Sequence, residues 1–402
     1  MAKHNYSRHS WTTALALQRL QANNTTTVAT IIRTALQAFY LLTLPRLVST
    51  DTAAQVFLAI SVSTVVAPLA SLGSQFRLIK ALAVGRENLE DIVPSYFIGF
   101  LVLTGVAGAV TQVYGIATTT HFFAFFTIYL LTNYARVFAD TLAQAFAVYN
   151  LSQIGYIALW ALKLLATWGL SHEITVNFAA ISLLEVGISA PWICATCIYI
   201  RRHWPVNTLR VPWREDLQII VATGVRSVWL EADRLLLPLF LGADSYVSYS
   251  IASRAAVGAQ ALIAAYLGVI TPKIVRANSR SVQALYRSGV RITAIATVAY
   301  FLGAAAILVV YPSLSATYVT ILILGLTLVP TYYAASIYSD YVFYNISASS
   351  RITINLLGAS ITIVGVGLTA LTHWVPTTTI GLLASFTLGT VYAKYRIRKS
   401  SA

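Results

Sequence analysis

Twelve apolar runs, most of them close to the length of about 20 residues that crosses the hydrocarbon of a bilayer, leave this chain few ways to fold. They cover 26–48, 53–74, 93–115, 121–147, 150–171, 176–200, 216–242, 245–271, 289–311, 314–341, 350–372 and 376–394. Turn-forming residues separate many of them, as at Asp51, Gly242 to Ser245, Tyr311 to Ser313 and His373 to Pro376. Of the 402 residues, 57% are hydrophobic and 10% charged, with a mean hydropathy of +0.72. Soluble domains carry about 25% charge. The expected class is therefore an all-α polytopic membrane protein of about twelve transmembrane helices.

Charge orients the set. The net charge of +14 sits in short segments between apolar runs. It does not form a basic stripe on a soluble module, which excludes nucleic acid as the expected partner. With the amino terminus inside, the even-numbered loops hold Arg77, Lys80 and Arg86, then Arg201, Arg202, Arg210 and Arg214, then Lys273, Arg276, Arg280, Arg287 and Arg291, then Arg351. The odd-numbered loops hold Arg46 alone. By the positive-inside rule both termini are expected in the cytoplasm, in a multi-pass cell (inner) membrane protein. Residues 1–25 read as a cytoplasmic tail, 26–200 as helices 1–6, 201–215 as a cytoplasmic linker, 216–394 as helices 7–12 and 395–402 as a second tail.

The two halves echo each other. Sliding 30–60 onto 223–253 sets Thr30 on Thr223, Arg33 on Arg226, Pro45 on Pro238, Asp51 on Asp244 and Ala59 on Ala252, at a constant offset of 193 residues. Duplicated halves are a common transporter architecture. Two pseudo-symmetric six-helix lobes are expected.

Several charges fall inside the apolar runs, where ionisable groups are costly and tend to face a bundle interior or a wet cavity. The cations are Arg33, Arg136, Lys163, Arg226, Arg234 and Arg254; the anions are Asp140, Glu185, Glu231 and Asp233, with Asp340 near a helix end. Arg136 and Asp140 are four residues apart and share a helical face, and Glu231 and Arg234 are three apart, so both can pair internally. Arg33, Lys163 and Arg254 have no carboxylate three or four residues away. If such cations converge on one cavity, it suits a phosphate-bearing ligand, because the guanidinium offers a bidentate fork.

Catalytic signatures are missing: no HExxH, GxxxxGK[ST] or GxSxG occurs. No external loop has room for a catalytic domain. Cys194 and Cys197 form a CxxC within an apolar run, which reads as helix packing and not as a redox or zinc motif. GVG at 365–367 reads as a close helix contact. No metal or cofactor site is expected.

The run DRLLLPLFLGADSYVSYSIASR at 233–254 resembles the helix 7–8 region of Wzx-type oligosaccharide flippases, members of the multidrug/oligosaccharidyl-lipid/polysaccharide (MOP) exporter superfamily. LVSTDTAAQVFLAIS at 47–61 and LASLGSQFRLIKALA at 69–83 are similar to the corresponding part of the first half. The resemblance implies a MATE-like fold. It also implies export of an undecaprenyl-diphosphate-linked oligosaccharide from the inner to the outer leaflet by alternating access, for O-antigen, capsule or exopolysaccharide assembly. Membrane lipids and a polysaccharide polymerase with its chain-length machinery would be partners. On this basis Arg33, Lys163, Arg226 and Arg254 are expected to contact the head group. Arg136 with Asp140, and Glu231, Asp233 and Arg234, are expected to gate or couple, with H+ or Na+ exchanged at a carboxylate. Two alternatives remain open: a multidrug cation antiporter of the same superfamily, and a membrane-embedded glycan polymerase or ligase.

Overall fold

The structure, a computed structural model, describes Ala29 and residues 32–70, 92–113, 120–145, 149–173, 176–203 and 215–401. The expected tail 1–25, the connection 75–91 and most of the linker 201–215, with Arg77, Lys80, Arg86, Arg210 and Arg214, lie outside the described residues.

Every element among the described residues is helical: α1 (32–47), α2 (Thr50–Ala70), α3 (Ile92–Val113), α4 (Thr120–Ala145), α5 (Tyr149–Glu173), α6 (Phe178–His203), α7 (Glu215–Leu236), α8 (Ala243–Arg276), α9 (Ser279–Ser288), α10 (Val290–Val310), α11 (Ala316–Asn345), α12 (Ala348–Thr372) and α13 (Pro376–Ser401). Helices suit such apolar sequence because each satisfies its own backbone hydrogen bonds without water. By length and composition, Ile154–His172, Phe178–Ala195, Ser281–Val310, Ala316–Asn345 and Ser349–Thr372 are long and apolar enough to cross a membrane. Thr50–Val66 and Gly99–Val110 are shorter apolar helices. α7 falls below that standard because Arg226, Glu231, Asp233 and Arg234 interrupt its apolar residues. The outer faces are strongly apolar: Val309 and Leu371 are 80% and 81% exposed, with Phe301, Leu302 and Val364 exposed beside them. A soluble surface rarely tolerates that much contiguous apolar area.

Three expectations are corrected. Residues 272–288 are not a plain loop: they contain α9, opened by a capping box in which Asn278 accepts from the Ser281 amide at 2.8 Å while Ser281 Oγ accepts from the Asn278 amide at 2.7 Å. The stretch read as a second tail is helical, because α13 runs on to Ser401 through Lys394, Arg396, Arg398 and Lys399. Arg351, expected among the loop charges, sits in the first turn of α12 and is 1% exposed.

Helix pairings repeat between the halves. In the first, α2 packs on α3, α4 and α6, α4 on α3, α5 and α6, and α5 on α6. In the second, α8 packs on α10 and α11, α11 on α10, α12 and α13, and α12 on α13. Leaving out the short α9, α2–α3 recurs as α8–α10, α2–α4 as α8–α11, α4–α6 as α11–α13 and α5–α6 as α12–α13. The contact of α1 with α5, where Tyr40 meets Trp160 at 5.6 Å between ring centroids, recurs as the packing of α7 on α12. The constant offset in sequence thus has a counterpart in space.

Close packing in the second half rests on glycine. A Cβ on Gly365 of α12 would stand 3.1 Å from Gly381 Cα of α13 and 3.0 Å from the Thr377 carbonyl. This is the small-residue helix contact expected of the GVG run, whereas a Cβ on Gly367 would meet open space. Cys194 departs from its expected packing role: it is a free thiol exposed on the outer face of α6.

The halves meet where α2 lies against α7 and α8. At one end of the bundle α1 and α10 are clasped. Arg46 Nη2 donates to the Val310 carbonyl, its guanidinium lies 5.1 Å from the Tyr311 ring, and the Tyr311 hydroxyl donates to the Leu42 carbonyl at 2.5 Å. A hydrogen bond from a charged group contributes about 1.5–3 kcal/mol. With spin labels at the ends of α1 and α10, the interlabel distance is expected to be narrow in the native protein and broad in Arg46→Ala/Tyr311→Phe. An unchanged distribution would show that other contacts hold this end closed.

Candidate functional site: three buried charge clusters

The first cluster fills the interior of the first half. Glu185 on α6, 2% exposed, accepts from Arg136 Nη1 of α4 at 2.7 Å and pairs with Lys163 of α5; Ser189 Oγ lies 3.5 Å away. Asn133 Oδ1 takes a second bond from Arg136. Aromatic rings fill the remaining space. The Lys163 ammonium is 4.3 Å from the Trp160 ring centroid, and Tyr156 lies between Arg33 at 4.8 Å and Arg136 at 5.5 Å. Cations over ring faces are stabilised by the ring quadrupole.

Glu185 is a partner that spacing along a single helix offered to neither cation. Arg136 pairs with Glu185 from a different helix, and the side chain of Asp140 lies outside the described residues. Lys163 has no carboxylate three or four residues away on its own helix, yet it pairs with Glu185 of α6. The sequence signal was present: a lone carboxylate in one apolar helix and a lone cation in another have strong reason to meet.

The second cluster joins α7, α11 and α12. Asp340 Oδ1 accepts from Arg226 Nη1 at 2.7 Å and stands 2.9 Å from Arg351 Nη2, with Ser336 Oγ 3.5 Å from Arg226 Nη2. Arg351 also lies 4.3 Å from the Phe343 ring. Two arginines therefore share one carboxylate, and Arg351 is a participant the sequence reading assigned to a loop.

The third cluster lies at the seam. Arg234 and Glu231 pair at 2.9 Å, as their spacing allowed, and Arg234 Nε donates to Ser253 Oγ at 3.4 Å. Asp233, fully buried, accepts from the Tyr249 hydroxyl through Oδ2, whereas Oδ1 has no hydrogen-bond partner among the described residues. Asp233 and Arg234 line a cavity of about 20 Å³ within the second half, together with Ser253, Gln260 and Thr379. That volume holds roughly one water. One turn along, Arg254 of α8 is 4% exposed and reaches across to the first half, with its guanidinium 5.0 Å from the Phe57 ring of α2. Its electrostatic neighbours are Arg234, Glu231, Tyr246 and Tyr129. Nε and Nη2 of Arg254 have no hydrogen-bond partner among the described residues.

The expected cations thus do not converge on one cavity. They divide among the interior of the first half (Arg33, Lys163, Arg136), the α7–α11–α12 junction (Arg226) and the seam (Arg234, Arg254). The cause is the supply of carboxylates: Glu185 and Asp340 each draw in two cations, whereas Arg254 keeps two nitrogens without a hydrogen-bond partner among the described residues. Among the described residues no group of His, Cys, Asp and Glu could hold a metal ion.

No protein-family model and no curated protein matches the sequence. Solved structures do match along nearly the whole chain. An outward-facing multidrug-resistance MATE transporter of the MOP superfamily superposes with a TM-score of 0.67 at 14% identity, covering 95% of this chain and 96% of the other. A MOP-superfamily transporter from Pyrococcus furiosus, described by the reverse polarity of its binding pocket and the different function this suggests, gives 0.67 at 13% identity over 96% and 97%. A MATE transporter from Vibrio cholerae gives 0.66 at 12% identity over 97% of both chains. The repeated helix pairings, the seam and these superpositions together give the chain the fold of the MATE transporters of the MOP superfamily.

Proposed function

We propose that this protein is a transporter that carries an anionic, lipid-linked oligosaccharide head group across the cytoplasmic membrane, its lipid tail remaining in the bilayer. The observation that carries this reading is Arg254: a buried guanidinium at the seam between halves, with two nitrogens lacking acceptors among the described residues. A buried unpaired charge is costly, and a phosphate oxygen arriving at the seam would supply the missing acceptors in bidentate geometry. The surrounding charge favours the same sign of cargo, because Arg33, Arg136, Lys163, Arg226, Arg234, Arg254 and Arg351 outnumber Glu185, Glu231, Asp233 and Asp340. An interior-negative membrane potential favours outward movement of an anion by about 2.3 kcal/mol per charge per 100 mV. Asp233, with Oδ1 unpartnered beside the small cavity, is the carboxylate best placed to exchange H+ or Na+ during the return step. Both termini in the cytoplasm, an inner-membrane location and a polysaccharide polymerase as downstream partner belong to this reading.

A multidrug cation antiporter is the second reading, supported by the fold neighbours named as multidrug MATE transporters. The Pyrococcus furiosus neighbour, whose reversed pocket polarity is described as suggesting a different function, leaves room for both readings within this fold. Reconstituted protein separates the two. A polyprenyl-diphosphate oligosaccharide in the inner leaflet is expected to reach an external glycan-modifying enzyme with native protein. At equal protein level Arg254→Gln is expected to slow this at least about tenfold, or roughly 1.4 kcal/mol in the barrier, with Arg254→Lys in between. Efflux of lipophilic cations without movement of the lipid diphosphate would overturn the proposal.

A further inference from the structure

Beyond Asp244 the second half carries its exposed charge at one end and with one sign. After Asp244 the sequence has a single acidic residue, Asp340, which is buried on α11. Exposed cations collect instead from stretches distant in sequence: Lys273 and Arg276 at the end of α8, Arg287 on α9, Arg291 at the start of α10, and Lys394 and Arg398 near the end of α13. α9 packs on α10, α11 and α13 and follows directly from α8, so the fold gathers these stretches into one region.

Orienting a membrane protein needs these charges only to be present. Here they are also held in place. Val282 of α9 is buried while Gln283, Ala284, Arg287 and Ser288 face outward, giving a helix with one apolar and one polar side. Tyr286 is stacked between Tyr333 and Tyr338 of α11, with centroids 5.4 Å away on each side. The Tyr333 hydroxyl donates to the Tyr286 carbonyl at 3.1 Å, and Lys394 lies 4.9 Å from the Tyr338 ring. The capping box fixes the start of α9, and at its end a Cβ on Gly289 would overlap the Tyr333 hydroxyl.

We propose that this end of the second half is a binding surface for anionic phospholipid head groups of the adjoining leaflet, with α9 as the brace that sets its arginines at head-group depth. A short amphipathic helix bearing cations on its polar side suits the boundary between head groups and acyl chains, and clustered Lys and Arg beside a span attract anionic lipid. Among the described residues no exposed carboxylate stands beside those cations. The assignment does not depend on the cargo.

The test is lipid competition on the intact, detergent-solubilised protein, read by native mass spectrometry with equal amounts of phosphatidylglycerol and phosphatidylcholine. Native protein is expected to retain phosphatidylglycerol several-fold over phosphatidylcholine, with the excess lost at high salt and untouched by inorganic phosphate at low concentration. Arg276→Gln/Arg287→Gln/Lys394→Gln/Arg398→Gln is expected to bring the two lipids near parity. Tyr286→Ala, which keeps every charge but frees the brace, is expected to lose about half of the preference. Equal retention by native protein would overturn the proposal without recourse to any variant. So would displacement by phosphate, which would mark a free-anion site, or an undiminished preference in the quadruple variant.

Discussion

Glu185→Leu is expected to destabilise the detergent-solubilised protein by about 3–5 kcal/mol, the usual cost of breaking a buried ion pair by removing one partner. The substitution leaves Lys163, 2% exposed, and Arg136 facing each other with their shared carboxylate gone. Trp160 and Tyr156 stay in place and attract both cations, but ring quadrupoles contribute only about 0.5–2 kcal/mol each and cannot replace a carboxylate. Glu185→Gln keeps the shape and an acceptor, so its loss should be smaller. Glu185→Leu/Lys163→Leu removes both charges of the closest pair and leaves Arg136 with Asn133; it should be more stable than Glu185→Leu alone. Thermal unfolding of the four proteins orders them directly. A single variant as stable as the native protein would show that the carboxylate is not what neutralises this interior.

Gly358→Val should be the next most damaging change. Trp229 of α7 is 3% exposed, donates its indole Nε1–H to Ser385 Oγ at 2.8 Å and packs on Phe386 at 5.2 Å between centroids. Its ring lies against the Gly358 backbone so closely that a Cβ there would stand 2.3 Å from Trp229 Cε2, and on the other side a Cβ at Gly389 would be 3.4 Å from Cη2. The indole fills a slot cut by two glycines from α12 and α13. Overpacking of this kind costs about 1–3 kcal/mol, and losing the Ser385 bond adds about 1 kcal/mol. Trp229→Leu in the same chain should recover part of the loss by vacating the slot. If Gly358→Val alone leaves both melting temperature and tryptophan fluorescence unchanged, the indole does not sit where described. The effect should also extend to cargo handling, because Arg226 and Arg234 flank Trp229 on the same helix.

How much of this was legible in the sequence depended on range. Helix count could be read because hydrocarbon thickness sets helix length: leaving aside α9, twelve helices among the described residues stand where twelve apolar runs were expected. α9 was missed because its hydrophobic residues, Val282, Leu285 and Tyr286, mark only one side of ten residues, too few to stand out from a basic loop. α13 was cut short because Lys394 to Lys399 read as a tail, although a helix end at the membrane surface tolerates such residues. The Glu231–Arg234 pair could be read because it lies within one helix. Arg136 was matched to Asp140 for the same reason; helical spacing sees only neighbours on the same rod, so its bond to Glu185, on a different one, went unread. Arg351 shows the reverse error: being near a helix start, it counted as surface, but the lone Asp340 on a neighbouring helix drew it inside.

The clasp between α1 and α10 has a bearing on which sequence changes the protein can absorb. Arg46 and Tyr311 each grip a main-chain oxygen of the opposite half, at Val310 and Leu42. A carbonyl is present whatever side chain its residue bears, so drift at positions 42 and 310 leaves both bonds available. The two bonds therefore constrain side-chain identity only at Arg46 and Tyr311.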